Sequence, residues 1–449
     1  MRSTRDIIAT LLSNIGGQRE VAQYLERFAS VESSQFAVIK VGGGILEDHL
    51  ADLTSALSFL DHVGLTPIVI HGAGPQLTAA LERAGVPSLV EGGLRVTTPQ
   101  VLEHARRVFI QENLRLVEAL EQLGTRARPI TAGVFEATPL DPDRLGLVGE
   151  VTSVHLEPLR SCVRSRTVPV LASLGETASG QILNINADVA ARELALRIKP
   201  YKIVFLTPTG GLLDRHGRLI PAVNLAEDYE RLLEQDWVDG GMRLKLTEIQ
   251  RILDALPPTS SVSITRPDHL ARELFTHRGS GTLVRRGERI VVHSRADEFD
   301  VDAVRQLIEA CFRRELDPHY FETREFDRVY LSDPLRVAAV LTRGHAGIPY
   351  LDKFAVTPEA QGAGLGTSLW HRLVRDAPRL YWRSRVGNPI NPWYFQRATG
   401  HYRGEDWVVF WSGLSDFDEI EACVRHALSL APSLAVRPRL AILSPSSRA

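Results

Sequence analysis

Four short and nearly unbroken apolar runs punctuate the first part of the chain: FAVIKV from Phe36, TPIVIH from Thr66, VPVLASL from Val168 and KIVFLT from Lys202. Runs of this length, rich in β-branched residues and lacking polar alternation, predict strands buried on both faces. The stretches between them have helical periodicity, notably 52–64, 76–84, 99–123 and 187–198. The order βαβα predicts an α/β domain with three αβα layers and a mainly parallel sheet.

The pattern restarts after Asp300. An amphipathic helix is expected over Val301–Phe312, followed by the alternating strands RVYLSD and RVAAVLTR, which turn at Pro334 and so predict an antiparallel pair. IPYLDKFAV then runs into PEAQGAGLG, a glycine-rich loop that opens a helix, and the aromatic strands RLYWRSR and DWVVFWS complete an α+β set. Between the two patterns, RRGERIVVHSRADEFD replaces apolar alternation with glycine and charge, which sets the expected domains at 1–290 and 291–449. Arg285, Arg286 and Arg289 read as a solvated linker. The first 30 residues read as two short amphipathic helices broken at Gly16-Gly17, and the terminal SPSSRA as frayed.

Composition narrows the function. A chain of 449 residues, at roughly 150 per hydrophobic core, is too long for one small binding module. With 44% hydrophobic and 24% charged residues, it has the make-up of folded domains. Lys and Arg number 52 against 54 Asp and Glu, so no general basic field exists to hold nucleic acid or an anionic membrane. No apolar run is long enough to span a bilayer, and no signal-peptide pattern begins the chain. Cys162, Cys311 and Cys423 are widely spaced and outside any C-x-x-C pattern, which argues against a disulfide framework or zinc site and predicts a reducing cytoplasm.

Two glycine loops in the first domain follow predicted strands. Lys40-Val41-Gly42-Gly43-Gly44 places an ammonium just ahead of a backbone that can approach a ligand closely, and His71-Gly72-Ala73-Gly74-Pro75 does the same before a helix. Neither has Walker A spacing. On adjacent strands, both would sit at the carboxyl edge of the sheet, where open α/β folds bind ligands. His71 itself reads as a packing residue. Three weaker segments join them: Glu91-Gly92-Gly93-Leu94-Arg95-Val96-Thr97, Asn184-Ile185-Asn186-Ala187-Asp188 and Gly240-Gly241-Met242-Arg243-Leu244-Lys245. Singly, they suit a hairpin, a helix cap and a solvated lysine. Together, Arg95 can clamp a carboxylate, Asp188 can orient two lysines, and Lys40 with Lys245 can neutralise a transferring phosphoryl group.

Over about 30–285 these residues resemble the amino acid kinase family, and within it the N-acetylglutamate kinases. The resemblance implies that Lys40 and Lys245 stabilise the transition state, with Asp188 organising them. It assigns phosphate and substrate contacts to the backbone of Gly43, Gly44 and Gly74, and the two ends of N-acetylglutamate to Arg95 and Asn184. ATP would be the donor, with Mg2+ carried by its phosphates. Two positions depart from the family: Ala73 stands where glycine is more common, and Thr207-Pro208-Thr209 where many members carry an acidic residue.

In the second domain, Gln361-Gly362-Ala363-Gly364-Leu365-Gly366 follows the strand containing Phe354 and Val356 and opens a helix. This matches the Q-x-x-G-x-G pyrophosphate loop of GNAT-type N-acetyltransferases, and its spacing is wrong for a dinucleotide fingerprint. YLDKFAV and YWRSRVGNPINPWYFQRATG are similar to the acetyltransferase domain of vertebrate-like N-acetylglutamate synthases and their bacterial bifunctional relatives. That resemblance implies acetyl-CoA on Phe354, Val356, Gln361, Gly362, Gly364 and Gly366. It gives the glutamate carboxylates to Lys353 and Arg383, assisted by Arg385, puts Asn388 and Tyr394 near the thioester, and makes Tyr394 a proton donor to the leaving thiolate.

The leading expectation is a bifunctional enzyme of arginine biosynthesis that acetylates L-glutamate and phosphorylates the product. By resemblance it would be a homotetramer inhibited by arginine, which would bind near Glu273–Thr282. Two alternatives stay open: a synthase with a kinase-like regulatory domain, and a non-catalytic arginine sensor.

Overall fold

The computed structural model describes residues 37–435 except 201, 239, 258–259, 276–279, 359 and 361–364. The expected N-terminal helices, the frayed end and the loop residues Gln361, Gly362 and Gly364 lie outside the described residues. Two compact units divide at Arg286 and Gly287.

The first unit is built on an eight-stranded sheet in the order Ala222–Asn224, Thr282–Arg285, Ser261–Thr265, Lys202–Leu206, Ala37–Val41, Ile68–His71, Val168–Ala172, Ala127–Ile130. All neighbours run parallel except Ser261–Thr265 against Thr282–Arg285. The period of two sorts each strand between two cores. Val38, Ile70, Ile203 and Phe205 pack on one face with Ala190, Leu194, Leu246 and Ile249 from the helices Ala187–Ile198 and Gly240–Ala255. Ile39, Val41, Val69 and Val204 pack on the other with Ile45, Leu53, Leu57 and Leu116. Each such fully buried aliphatic side chain contributes about 1.5–3 kcal/mol.

A smaller four-stranded sheet, with Ile182–Asn184 at one edge and Gly149–Val154 at the other, was not apparent from periodicity, because its strands are short and half exposed. The Gly-Gly-Leu-Arg segment is the hairpin Val90–Glu91 and Leu94–Arg95, turning on Gly92 and Gly93 at φ of 57° and 83°. Only glycine adopts two such dihedrals in succession without strain.

The second unit holds a seven-stranded sheet in the order Arg289–His293, Phe326–Asp333, Val337–Thr342, Tyr350–Val356, Leu380–Arg385, Trp407–Ser412, Gly400–Arg403. Every pairing is antiparallel except Tyr350–Val356 with Leu380–Arg385, which is parallel and registers only Tyr350 with Tyr381 and Leu351 with Trp382. Beyond those two positions the strands part. A register shift leaves Asp352 as an extra residue between Leu351 and Lys353, so Leu351 and Phe354 share one core although three residues apart. Lys353 turns to the opposite face.

The linker reading of the arginine cluster is corrected. Arg286 belongs to the first unit, where its guanidinium donates to the carbonyls of Leu253, Asp254 and Leu256 and closes the end of the helix Gly240–Ala255. Arg289 already starts a strand of the second unit, so the division falls before 290. Among the described residues, no helix is long and apolar enough to cross a membrane.

Candidate functional site

Lys40 shares the strand face of Val38, and its register partner on the neighbouring strand is Phe205. Its side chain therefore points toward the two helices that pack there. Asp188 lies in the first turn of Ala187–Ile198, whose N-terminus is capped by the Asn186 side chain accepting from the amides of Asp188 and Val189. Lys245 projects from the facing helix. The three side chains, 7%, 8% and 9% exposed, meet: Lys40 Nζ lies 2.6 Å from Asp188 Oδ1, and Lys245 Nζ lies 3.1 and 3.0 Å from its two oxygens. Both ammoniums also face the Phe205 ring, at 6.0 and 5.6 Å from its centroid.

Burial lowers the Lys40 pKa to about 8, against the pull of Asp188. Burial alone would raise Asp188, but the two lysines outweigh it and hold the carboxyl at about 2. Asp188 is therefore ionised at neutral pH, and Lys40 is protonated there but titratable in mild alkali.

The two glycine loops touch. Gln76 Nε2 donates to the Gly43 carbonyl at 2.7 Å. A Cβ on Gly43 would lie 2.7 Å from Pro75 Cδ and 2.8 Å from Gln76 Oε1, so only glycine fits there. At Gly44 a Cβ would lie 3.2 Å from Pro208 Cγ, which places the Thr207-Pro208-Thr209 turn against the first loop; Gly74 faces open space. The methyl of Ala73 is fully buried, in one apolar cluster with Leu77, Leu81, Ala172 and Leu174. His71 is a packing residue: it is buried, paired to Asn113 Nδ2 at 3.0 Å, and pushed down to about pKa 4 by burial.

Arg95 extends over the second loop. Its guanidinium donates to Ser88 Oγ, to Thr78 Oγ1 at 2.7 Å and to the Gly74 carbonyl at 3.4 Å. Asn184 donates to Thr97 Oγ1 at 3.0 Å, and Thr97 donates to the Arg95 carbonyl at 2.7 Å. Thr97 thus ties the hairpin to the strand carrying Asn184. Thr97, in the segment that also carries Arg95, has no role readable from sequence, and neither Gln76 nor Phe205 has a local signal.

In the second unit, Lys353 is buried against Asp352 Oδ2 at 2.8 Å, Ser433 Oγ at 2.7 Å and the Tyr320 ring at 4.7 Å. Tyr320 donates to the same Asp352 oxygen at 2.5 Å. Burial lowers the Lys353 pKa, opposed by Asp352. Arg383, on the same face of the sheet as Tyr381, donates to the Ala427 carbonyl at 2.7 Å and to Ala431 at 3.4 Å. Trp407 carries two guanidiniums, Arg383 and Arg385, each 4.1 Å from its centroid. Ala427, Ala431 and Ser433 come from the C-terminal helix and the segment after it, which the sequence did not connect with this site.

The opposite face is aromatic. Tyr394 packs among Trp370, Trp382, Trp393 and Phe410. Burial raises its pKa, and among the described residues nothing hydrogen-bonds its hydroxyl, so it stays a protonated donor. Phe354 lines the same wall, 5.6 Å from Trp393. Asn388 donates to Ser384 Oγ at 2.9 Å. A Cβ on Gly366, at the start of Leu365–Asp376, would lie 3.2 Å from Val356 Cγ2, so that helix begins directly against the strand end. The structure thus groups Lys353 with Arg383, and Phe354 with Tyr394, on opposite faces of a sheet that opens between them.

Comparison with known proteins agrees with this architecture. Residues 35–256 match the amino acid kinase family, and residues 291–429 match the N-acetyltransferase of N-acetylglutamate synthase. An acetylglutamate kinase of Xylella fastidiosa (strain 9a5c) is 51% identical, covering 93% of this chain and 99% of its own. The mitochondrial N-acetylglutamate synthase of Homo sapiens is 33% identical, over 96% of this chain and 79% of that protein. Among solved structures, N-acetylglutamate synthase from Neisseria gonorrhoeae with coenzyme A and N-acetyl-glutamate aligns with a TM-score of 0.61 at 20% identity, covering 88% of this chain and 98% of that chain. Its complex with coenzyme A and L-arginine aligns at 0.53 and 21% identity, with the same coverage.

Proposed function

The chain belongs to the acetylglutamate kinase family in its two-unit form, and from that premise we propose a bifunctional enzyme of arginine biosynthesis. Its second unit moves the acetyl group of acetyl-CoA to the amine of L-glutamate. Its first unit moves the γ-phosphoryl group of ATP to the γ-carboxylate of the N-acetylglutamate so formed.

In phosphoryl transfer, a carboxylate oxygen attacks the γ-phosphorus while its bond to the bridging oxygen of the departing diphosphate breaks. Lys40 and Lys245 neutralise the charge that spreads onto the transferring oxygens, and Asp188 keeps both ammoniums in place. The amides of the Gly43–Gly44 and Gly74 loops, with Arg95 and Asn184, position the two substrates. Mg2+ would arrive on the nucleotide phosphates: Asp188 already has both lysines on its oxygens. The observation that carries this half is the sharing of Asp188 by lysines from a strand and a distant helix. The burial of the Ala73 methyl in an apolar cluster supports an active first unit over a regulatory one.

In acetyl transfer, the neutral amine attacks the thioester carbonyl, the C–S bond breaks, Tyr394 gives a proton to the thiolate, and the proton that the amine nitrogen loses passes through water to restore the tyrosine hydroxyl. Lys353 and Arg383 select an acidic acceptor, and the aromatic wall of Phe354 and Tyr394 shields the thioester from water. Coenzyme A would lie along Val356 and the start of Leu365–Asp376, its pyrophosphate on the Gln361–Gly366 loop. We place the enzyme in the cytoplasm as a homotetramer inhibited by arginine; the L-arginine complex of the structural neighbour supports only that arginine is a ligand.

The test is a pair of assays on the purified chain: CoA release from acetyl-CoA plus glutamate, and hydroxylamine-trapped acyl phosphate from ATP plus N-acetylglutamate. Both positive is the expected result. Release of CoA without acyl phosphate would reduce the first unit to a regulatory one. Arginine titrated into both assays, and sedimentation of the chain with and without it, check inhibition and assembly.

A further inference from the structure

Behind Lys40, Asp188 and Lys245 lies a second ionic contact to which the proposed chemistry gives no part. Glu248 is one helical turn beyond Lys245 and 1% exposed, while Arg192 is one turn beyond Asp188. The two form an ion pair across the helices, Arg251 reaches Glu248 at 3.0 Å, and Arg192 reaches Glu193 at 2.7 Å. Ala187–Ile198 and Gly240–Ala255 are thus joined twice, at neighbouring turns: in front by Asp188 and Lys245, behind by Arg192 and Glu248.

Stability alone is a weak reason for the rear contact, because a buried ion pair is often no better than apolar residues of the same volume. The front contact has a different problem. When Lys245 turns its hydrogen bonds from Asp188 to a transferring phosphoryl group, the bond that joins the helices there is loosened at the moment when their separation matters most. We infer that Arg192 and Glu248 form a positioning pair, which keeps the Lys245 helix at a fixed distance from the Asp188 helix while the front contact is exchanged. This rests on the phosphoryl-transfer reading above.

The pair also has an electrostatic part. The charged groups around Glu248 are Arg192 and Glu193 on the facing helix, Arg251 and Lys245 on its own, and Asp188, with Lys40 on the adjoining strand. Glu248 is the buried anion that pairs with Arg192 across the helices and with Arg251 along its own.

The test uses the full chain with Glu248→Gln and Arg192→Lys, measuring kcat, both KM values, the pH profile of acyl phosphate formation and thermal melting. The expected result is a fall in kcat of about 10²-fold, the loss that a small misplacement of a catalytic group produces. Both KM values should remain within about threefold of wild type, which separates lost positioning from lost binding. The alkaline limb of the profile, set by Lys40, should stay in place in both variants. An unchanged kcat in both variants overturns the inference. So does a joint change of kcat and both KM values with a collapsed melting temperature, which marks a structural role only. If Glu248→Gln does not fold, the kcat and KM values of Arg192→Lys decide by the same criterion. A wild-type chain that makes no acyl phosphate removes the kinase reading and this role together, whereas an active wild type with unaffected variants removes this role alone.

Discussion

In the first unit two ammoniums are gathered on one carboxylate at 2.6–3.1 Å, and the balancing charge comes from inside the protein. In the second, Lys353 has Asp352, but Arg383 is held by two backbone carbonyls and a tryptophan face, and Arg385 shares that face. The contrast follows the chemistry each site suits. A transferring phosphoryl group is anionic throughout, so its partners must remain charged despite burial yet be free to exchange bonds. Asp188 provides for both. An acetyl group is neutral, and the fixed charges there belong to the acceptor's carboxylates. Cations held by dipoles and rings remain electrostatically unbalanced, and in the proposed reaction a dicarboxylate acceptor would supply the missing charge.

The largest effect that would sharpen this contrast is expected from Lys245→Ala. It should lower acyl phosphate formation by about 10²–10³-fold, on the scale of losing one charge-stabilising donor, while CoA release keeps its wild-type rate. Loss of both activities together would show that the two sites are not independent. Next is Tyr394→Phe, which should slow CoA release by about 10²-fold and leave phosphorylation unchanged; an unaltered rate would mean that the thiolate takes its proton elsewhere. A third effect lies in pH. Because Lys40 must be protonated and burial sets its pKa at about 8, kcat/KM for phosphorylation should fall as pH rises through that value. A flat profile to pH 9.5, about 1.5 units beyond that pKa, would show that phosphorylation does not need the Lys40 charge. The smallest is Ala73→Gly, where removal of a buried methyl should lower stability by about 1 kcal/mol in denaturant titration, with phosphorylation within about twofold of wild type. A large gain in rate would show that the methyl does obstruct the loop.

Much of this was legible where the information is local. Strands such as Ala37–Val41 read directly, because a strand buried on both faces leaves an unbroken apolar run, and Ala187–Ile198 read directly from its cap and period. Lys40, Asp188 and Lys245 were marked by glycines and an N-cap, but their meeting depends on strand parity and helix packing that no single segment encodes. The second unit was harder. The extra residue at Asp352 reverses the face of every residue after it, so alternation counted from Tyr350 assigns Lys353 to the wrong side. The carbonyls that hold Arg383 lie more than forty residues away in the chain. Arg286 reads as linker because paired arginines beside a glycine resemble one unless the helix end that Arg286 closes is in view.

The close approach at Gly43 has a consequence for how this protein can vary. A side chain there would strike Pro75 and Gln76, which belong to the other loop, so a change in one loop is tolerated only with a matching change in the other. The two segments are therefore sterically coupled, and a chimera that exchanges one without the other should fail where a double exchange succeeds.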